Sequence, residues 1–311
     1  MAPGRRPSSA TLELRHLRYF LATADELNYG RAAERLQIAQ PGLSQQIMNL
    51  EEIVGTPLFD RTRRSVKLTL AGELFAEEAR KAVQQTEAAL LVARRAGRGE
   101  IGRIAIGYVS SAAYSGALTT MVGQFRQAYP EVELDISEME MMQQLGQLDQ
   151  GKLDIGFIRP PVPLPLGIVS TPILFEEIIL ALPESHPFAG QERVPLSALN
   201  GDVFIMPRHP AGVSFHEHTT SACRAAGFFP RLGPQGRDFV TIASMVAVGL
   251  GVALVPQSLR SIQVPGLRYR AIAGEPVLAE LAVAYRRNEP SPVARAFAAH
   301  ARKSTPVSKP V

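Results

Sequence analysis

Residues 14–70 read LRHLRYFLATADELNYGRAAERLQIAQPGLSQQIMNLEEIVGTPLFDRTRRSVKLTL, and their spacing decides the fold of the amino-terminal end. Leu14, Leu17, Leu21 and Ala24 recur three or four residues apart, one apolar stripe of a helix with Arg15, Arg18 and Asp25 off it. A second helix is expected over roughly Arg31 to Gln37, where the small neighbours Ala32 and Ala33 let another helix come close. A third is expected to begin at Pro41, whose missing N–H is harmless in a first turn. It continues through Leu43, Ile47, Leu50 and Val54 and stops at Gly55 and Pro57. The face left over carries Gln40, Ser44, Gln45 and Asn49, all uncharged hydrogen-bonding groups able to read base edges from a major groove.

Asp60 to Lys67 then packs Arg61, Arg63, Arg64 and Lys67 around a single anion, between Leu58-Phe59 and Leu68. A basic hairpin after three helices has the layout of a winged helix-turn-helix, with the wing on phosphate or in a minor groove. Amphipathic helices and basic runs are individually commonplace; their order carries the signal.

Working outward, 311 residues of which 46% are hydrophobic suffice for two cored domains. The single cysteine, Cys223, cannot form an internal disulfide, and no apolar leader follows the start; both fit a cytoplasmic location. The net charge of +4 is uneven: residues 1–99 hold 15 Lys and Arg against 11 Asp and Glu, and the remainder is balanced. The excess sits on the end read as binding DNA. Residues 1–11, rich in Pro, Arg and Ser, read as a disordered extension and 304–311 as a flexible tail. Phe239 to Leu259 is uncharged and long enough for a membrane span, but Gly249, Gly251 and Pro256 divide it into a buried helix and strand, so no membrane partner is expected.

Beyond Gly72 the chain reads as one helix to about Ala96, with Ala79, Ala82, Thr86, Ala89, Ala93 and Ala96 at heptad-like spacing. Gly97, Gly99 and Gly102 match the spacing of a dinucleotide fingerprint, yet follow a helix and precede a strand, the reverse of what that motif needs; the segment reads as a flexible hinge. Then strands and helices alternate: a strand at Ile104–Gly107, a helix to Ala128, a strand at Val132–Ile136, a helix to Gln150, and a strand at Leu153–Phe157. That order implies a parallel sheet. Further strands are read at 178–182, 203–206, 252–255, 267–272 and 278–285, before a last helix near 293–302.

The motifs Leu14-Arg15-His16-Leu17-Arg18-Tyr19-Phe20, Arg31-Ala32-Ala33-Glu34-Arg35-Leu36, Gln40-Pro41, Leu43-Ser44-Gln45-Gln46-Ile47, Leu50-Glu51-Glu52, Pro57-Leu58-Phe59 and Arg61 stand in the order and spacing of one family. Together they resemble the amino-terminal domain of LysR-type transcriptional regulators. The chain departs from many members at Gly30, Ala39, Gly42 and Gln45; an Ala or Gly at a helix start is tolerable. Where those members carry Arg, Gln45 favours adenine over guanine and so bears on the operator.

The resemblance implies an α/β chain overall: a winged helix-turn-helix over 12–70, a linker and dimerisation helix over 71–98, and a two-lobed effector domain over 101–303, like a type 2 periplasmic binding protein. Lobe I would comprise about 101–173 and 275–303 and lobe II about 174–274, with crossovers near Ile173 and Gly274. It also implies a sequence-specific regulator that binds operator DNA and a small organic acid, and that pairs with itself as a dimer or tetramer. RNA polymerase stands as a further candidate partner. The residues expected on DNA are Arg31, Gln40, Pro41, Ser44, Gln45, Asn49, Arg61, Arg63 and Arg64.

Ligands of open parallel sheets bind at the carboxyl ends of strands. Ser110 and Ser111, between a strand and its helix, either offer hydroxyls to a carboxylate or simply cap the helix. Tyr108-Val109-Ser110-Ser111 is similar to the same segment in members that sense products of aromatic-ring breakdown. Met141 stands where those members have a Thr, which points away from a diacid and toward a more apolar acid. Arg159, at a strand end, serves a carboxylate or a structural ion pair; Arg208, His209 and Ser214 would face the cleft from lobe II.

No cofactor or metal is expected: His216 and His218, two apart, leave a helix on different sides. Gly212-Val213-Ser214-Phe215-His216 lacks the closing glycine of a nucleophile elbow, and no phosphate loop is present, so the chain does not read as an enzyme. A transport-type solute-binding protein shares the two-lobed cleft; the missing leader and the amino-terminal domain argue against it. A DNA-associated enzyme is the other reading.

Overall fold

The computed structural model describes residues 11–62 and 65–303 and divides into two units, Met1–Arg94 and Arg95–Val311. Arg63, Arg64, the tail at 304–311 and nearly all of the extension at 1–11 lie outside the described residues.

The first unit holds α1 (Leu14–Glu26), α2 (Tyr29–Leu36), α3 (Gln40–Val54), the antiparallel hairpin β1 (Phe59–Thr62) and β2 (Ser65–Leu68), and the start of α4 (Leu70–Gly97). The expected stripes form its core, with Leu17, Leu43, Ile47 and Leu50 buried and Ala32 and Ala33 at the close approach of α2. Phe20, wholly buried, is its centre, 5.2 Å from the Phe59 ring and 5.0 Å from the Phe75 ring. The stripe read on α1 omitted it, although a ring of that size fills the space between helices and hairpin.

Helix ends follow local chemistry. Asn28 caps α2, its Oδ1 accepting from Gly30 N (2.9 Å) and Arg31 N (3.1 Å), so Gly30 lies inside the helix rather than at its start. Ala39 does stand at the start of α3 with no side-chain cap. Gly55 ends α3 at φ 79°, a left-handed backbone that glycine adopts without strain. Gly72 is required by contact instead: a Cβ there would lie 2.0 Å from the Leu58 carbonyl oxygen.

The second unit begins with β3 (Ile101–Tyr108), α5 (Ser110–Tyr114), α6 (Ala117–Ala128), β4 (Glu131–Glu138), α7 (Met141–Asp149) and β5 (Ile155–Ile158). The single helix expected up to Ala128 is two, broken at Gly116 with φ 79°. The glycine run at 97–102 is not a free tether: Gly99 is buried, and a Cβ on it would meet the Pro292 carbonyl oxygen at 2.6 Å.

β6 (Ile168–Pro183) is far longer than the strand read at 178–182. Along Ile168–Glu177 it pairs with β12 (Leu278–Arg286); along Ile178–Pro183 it pairs instead with β10 (Ala253–Pro256) and β11 (Leu267–Ile272). One strand thus serves two half-sheets, β4-β3-β5-β12 on one side and β10, β11 and β7 (Arg193–Val194) on the other. β8 (Val203–Pro207) and β9 (Arg231–Gly236) run parallel, with α8 (Ser214–Ala225) and α9 (Phe239–Ala247) following them, and α10 (Pro292–Lys303) closes the chain.

Neither β7 nor β9 was expected. Arg231-Leu232-Gly233-Pro234-Gln235-Gly236 carries the residues that ordinarily break strands, tolerated here because β9 pairs on one side only. The uncharged run from Phe239 does divide into α9 and β10, and no described helix is long and apolar enough to cross a membrane. Separate apolar cores lie around Leu180, Phe204 and Phe215 and around Ile106, Phe125 and Phe297, so each half of the unit folds around its own interior.

Candidate nucleic-acid interface and ligand cleft

Gln37, left-handed at φ 57°, ends α2 and turns the chain into α3. Because Leu43, Ile47 and Leu50 hold one face of α3 in the core, Gln40, Pro41 and Gln45 are exposed and Ser44 and Asn49 half-buried on the other. Gln45 Nε2 donates to Asn49 Oδ1 at 3.0 Å, which orients both amides before any partner arrives. Arg31 is exposed but committed, its Nη2 donating to the Glu26 carbonyl (2.6 Å) and its Nε to the Glu26 carboxylate (3.2 Å), so it braces α1 against α2.

In the hairpin Arg61 stands opposite Val66 and Asp60 opposite Lys67. Its position is set by a residue that the reading of exposed faces passed over. Glu51, on α3, accepts from Leu58 N (2.9 Å) and Phe59 N (3.0 Å) through one carboxylate oxygen, tying the hairpin to the helix.

The second site is a cleft enclosing about 800 Å³ including its open mouth, and it gathers all seven residues expected there: Ser110, Ser111, Met141, Arg159, Arg208, His209 and Ser214. Its walls are strand ends. Val109 to Ser111 follow β3, Met139 to Met142 follow β4 and Arg159 follows β5; from the other half Arg208 and His209 follow β8, and Arg237, Asp238 and Phe239 follow β9. The last three, with Glu138 and Glu140, were not anticipated. Missing β9 hid the β9–α9 corner; the signal that could have found it is Asp238 itself, a helix cap before an apolar run, whose Oδ1 accepts from Thr241 N at 2.7 Å.

Of the alternatives left open for these residues, the helix cap is absent: neither Ser110 nor Ser111 caps the helix they begin, whose cap position is Val109 with no side-chain hydrogen bond. The helix that Ser110 and Ser111 begin has only five residues and so a weak dipole. Ser111, 2% exposed, has its hydroxyl oxygen taken by Arg159 Nε at 2.8 Å. Arg159 is itself buried and ion-paired through Nη2 with Glu176 on β6, and the other oxygen of Glu176 accepts from Ser258 N at 2.7 Å. The structural ion pair therefore exists, but it leaves Arg159 Nη1 buried and without a partner.

Ser214 opens α8 with φ 48°, a strained conformation for a residue with a Cβ, and donates its N–H to the Pro161 carbonyl across the cleft at 2.6 Å. Its Oγ is also buried and unpartnered. Met141 is 2% exposed and packs below the cleft with Leu145 and Leu148. Arg208 is exposed at the rim, and Arg237 Nε lies 3.9 Å from Glu140. Burial holds the His209 imidazole below its usual range, with His216 acting in the same direction and Glu140 opposing both.

His218 is likewise pushed down by burial and sits 3.2 Å from the Pro160 carbonyl oxygen, while Glu217 accepts from Ser221. Among the described residues no group of three or more His, Cys, Asp and Glu could hold a metal ion. Chemically the cleft offers hydrogen-bond donors above an apolar floor.

Residues 14–73 match the family of bacterial regulatory helix-turn-helix proteins, lysR family, and residues 97–306 match the LysR substrate binding domain. The uncharacterized HTH-type transcriptional regulator YnfL of Escherichia coli (strain K12) is 36% identical over 93% of this chain and 97% of its own. AlsR of Bacillus subtilis (strain 168), also an HTH-type transcriptional regulator, is 35% identical over 92% of this chain and 94% of its own. Full-length CbnR in complex with its target DNA superposes with a TM-score of 0.74 at 27% identity, covering 94% of this chain and 99% of that one. The chain belongs to the LysR family: it is a DNA-binding transcriptional regulator with a substrate-binding domain.

Proposed function

We propose that α3 enters the major groove of an operator with Gln40, Ser44, Gln45 and Asn49 toward the base edges, while Arg61, Arg63 and Arg64 of the wing contact phosphate or minor groove. The observation that carries the reading is the Gln45–Asn49 hydrogen bond on the exposed face of α3, which presents two amides as one preset pattern. Arg31, tied to Glu26, acts by bracing that unit.

The regulator pairs with itself along α4, where Leu90, Leu91 and Val92 are about half exposed and the small-residue seam from Ala82 to Ala96 is uncovered within the single chain. A small organic acid binds in the cleft, in the cytoplasm, and shifts the population of dimer and tetramer arrangements, and with it the access of RNA polymerase. The boundaries 12–70, 71–98 and 101–303 are the working division, with crossovers expected near Ile173 and Gly274; β6 changes its pairing partners between Glu177 and Ile178, a few residues beyond the first of these.

Selection of duplexes from a random pool by the full chain tests the reading. Enrichment of one sequence bound at least about 1,000-fold more tightly than the pool is expected. Equal affinity for all duplexes would refute it.

A further inference from the structure

Three cleft-lining residues, Arg159, His209 and Ser214, carry a buried polar atom with no hydrogen-bond partner, and two of these, Arg159 Nη1 and Ser214 Oγ, are hydrogen-bond donors on nearly inaccessible residues. Arg159 Nη1 and Ser214 Oγ belong to residues 3% and 1% exposed, come from opposite halves of the ligand unit, and both lack a hydrogen-bond partner. Their residues are brought toward one another by two contacts: the guanidinium of Arg159 lies 5.8 Å from the ring of Phe215, the residue after Ser214, and Ser214 N bonds the carbonyl of Pro161, two residues after Arg159. A guanidinium N–H with no acceptor in a low-dielectric site is expensive to bury, and is kept where something else supplies the acceptor.

The remaining groups set the charge that fits. Arg159, Arg208 and Arg237 line the cleft with Glu138, Glu140 and Asp238, and Glu176 stands behind Arg159. With Glu176 counted, four carboxylates stand against three guanidiniums, so any negative charge on a ligand beyond the one that Arg159 Nη1 and Ser214 Oγ can hold meets a further excess of carboxylate. Val109, Met139, Met141 and Phe239 supply apolar lining for an uncharged body.

Resting on the reading of the cleft as the ligand site, we infer that Arg159 and Ser214 form an anion clamp spanning its two halves, and that the ligand is a monocarboxylate with an apolar body. The carboxylate accepts from Arg159 Nη1 and Ser214 Oγ at once. The clamp does not use Ser111, whose hydroxyl oxygen is engaged by Arg159 Nε, nor does it depend on Ser110.

Calorimetric titration of the full chain with butanoate and benzoate, against succinate and adipate, tests the inference. At least one monocarboxylate is expected to bind, with both dicarboxylates about tenfold weaker or more. Ser214→Gly removes the hydroxyl while suiting the left-handed backbone; it should weaken binding by about tenfold or more, whereas Ser244→Ala, outside the cleft on α9, should change it by less than about twofold. Arg159→Gln alone would strand Glu176, so the double variant Arg159→Gln with Glu176→Gln is used, checked for a cooperative melt, and should lose binding.

Tighter binding of a dicarboxylate, an unchanged Ser214→Gly affinity, or no heat from either monocarboxylate would overturn the clamp. A chain that selects a duplex yet binds no monocarboxylate refutes the clamp alone. A chain that selects no duplex refutes the regulatory reading instead.

Discussion

Replacing Glu51 with Ala isolates the link between recognition helix and wing. One oxygen of this carboxylate accepts the N–H groups of Leu58 and Phe59, residues 0% and 3% exposed, at 2.9 and 3.0 Å. Truncation removes two charge-assisted hydrogen bonds and leaves both amides in an apolar setting with no acceptor. At ~1–3 kcal/mol for each stranded group, and allowing for partial relaxation toward water, the loss comes to about 2–4 kcal/mol. A unit of this size shifts in Tm by ~4–8 °C per kcal/mol, so its melting midpoint should fall by roughly 8–32 °C.

Calorimetry of the full chain gives the midpoint, and hydrogen exchange at Leu58 and Phe59 gives the local readout. Glu51→Gln keeps an oxygen acceptor without the charge and should lose about half as much. A destabilisation below ~0.5 kcal/mol for Glu51→Ala, with amide protection at Leu58 and Phe59 unchanged, would refute the anchoring role.

Other expectations follow from the same geometry. Gln45→Ala should weaken binding to the selected duplex by ~1–3 kcal/mol and binding to random DNA little; equal losses on both would show that Gln45 reads no base. Arg61→Ala should lower the slope of log affinity against log salt by ~1, and an unchanged slope would assign Arg61 a structural role only. His209 and His218, both held below their usual range chiefly by burial, stay neutral in the fold while the unfolded chain takes up protons as pH falls below about 6.5. The second unit should therefore lose stability on going from pH ~7.5 to ~5.5, and His218→Gln should flatten that dependence. A profile that is flat in the unsubstituted chain would contradict it.

Legibility followed the range of the forces. The stripes on α1 and α3, the small pair on α2 and the stop at Gly55 rest on interactions within one or two turns, and each can be read from spacing alone. All seven cleft residues were within reach for a similar reason. Each lies just past a strand or at the first turn of a helix, and in a parallel sheet those positions converge whatever the details of packing.

Long-range pairing was not legible. β9 contradicts its own propensities because its ladder to β8, not its composition, makes it a strand, and Arg237, Asp238 and Phe239 were lost with it. Sequence alone determined that a helix-turn-helix with a basic wing precedes an alternating α/β chain, and which loops would meet at a cleft, because hydrophobic periodicity and turn chemistry are local. Only the tertiary structure decided which of those loop residues are free to act. Ser111 is occupied by Arg159, Arg159 is divided between Glu176 and an unpaired Nη1, and Ser214 is held at φ 48° by a carbonyl from the opposite half. Those assignments depend on partners 48, 17 and 53 residues away along the chain, whose proximity is fixed by the sheet and not by any local preference.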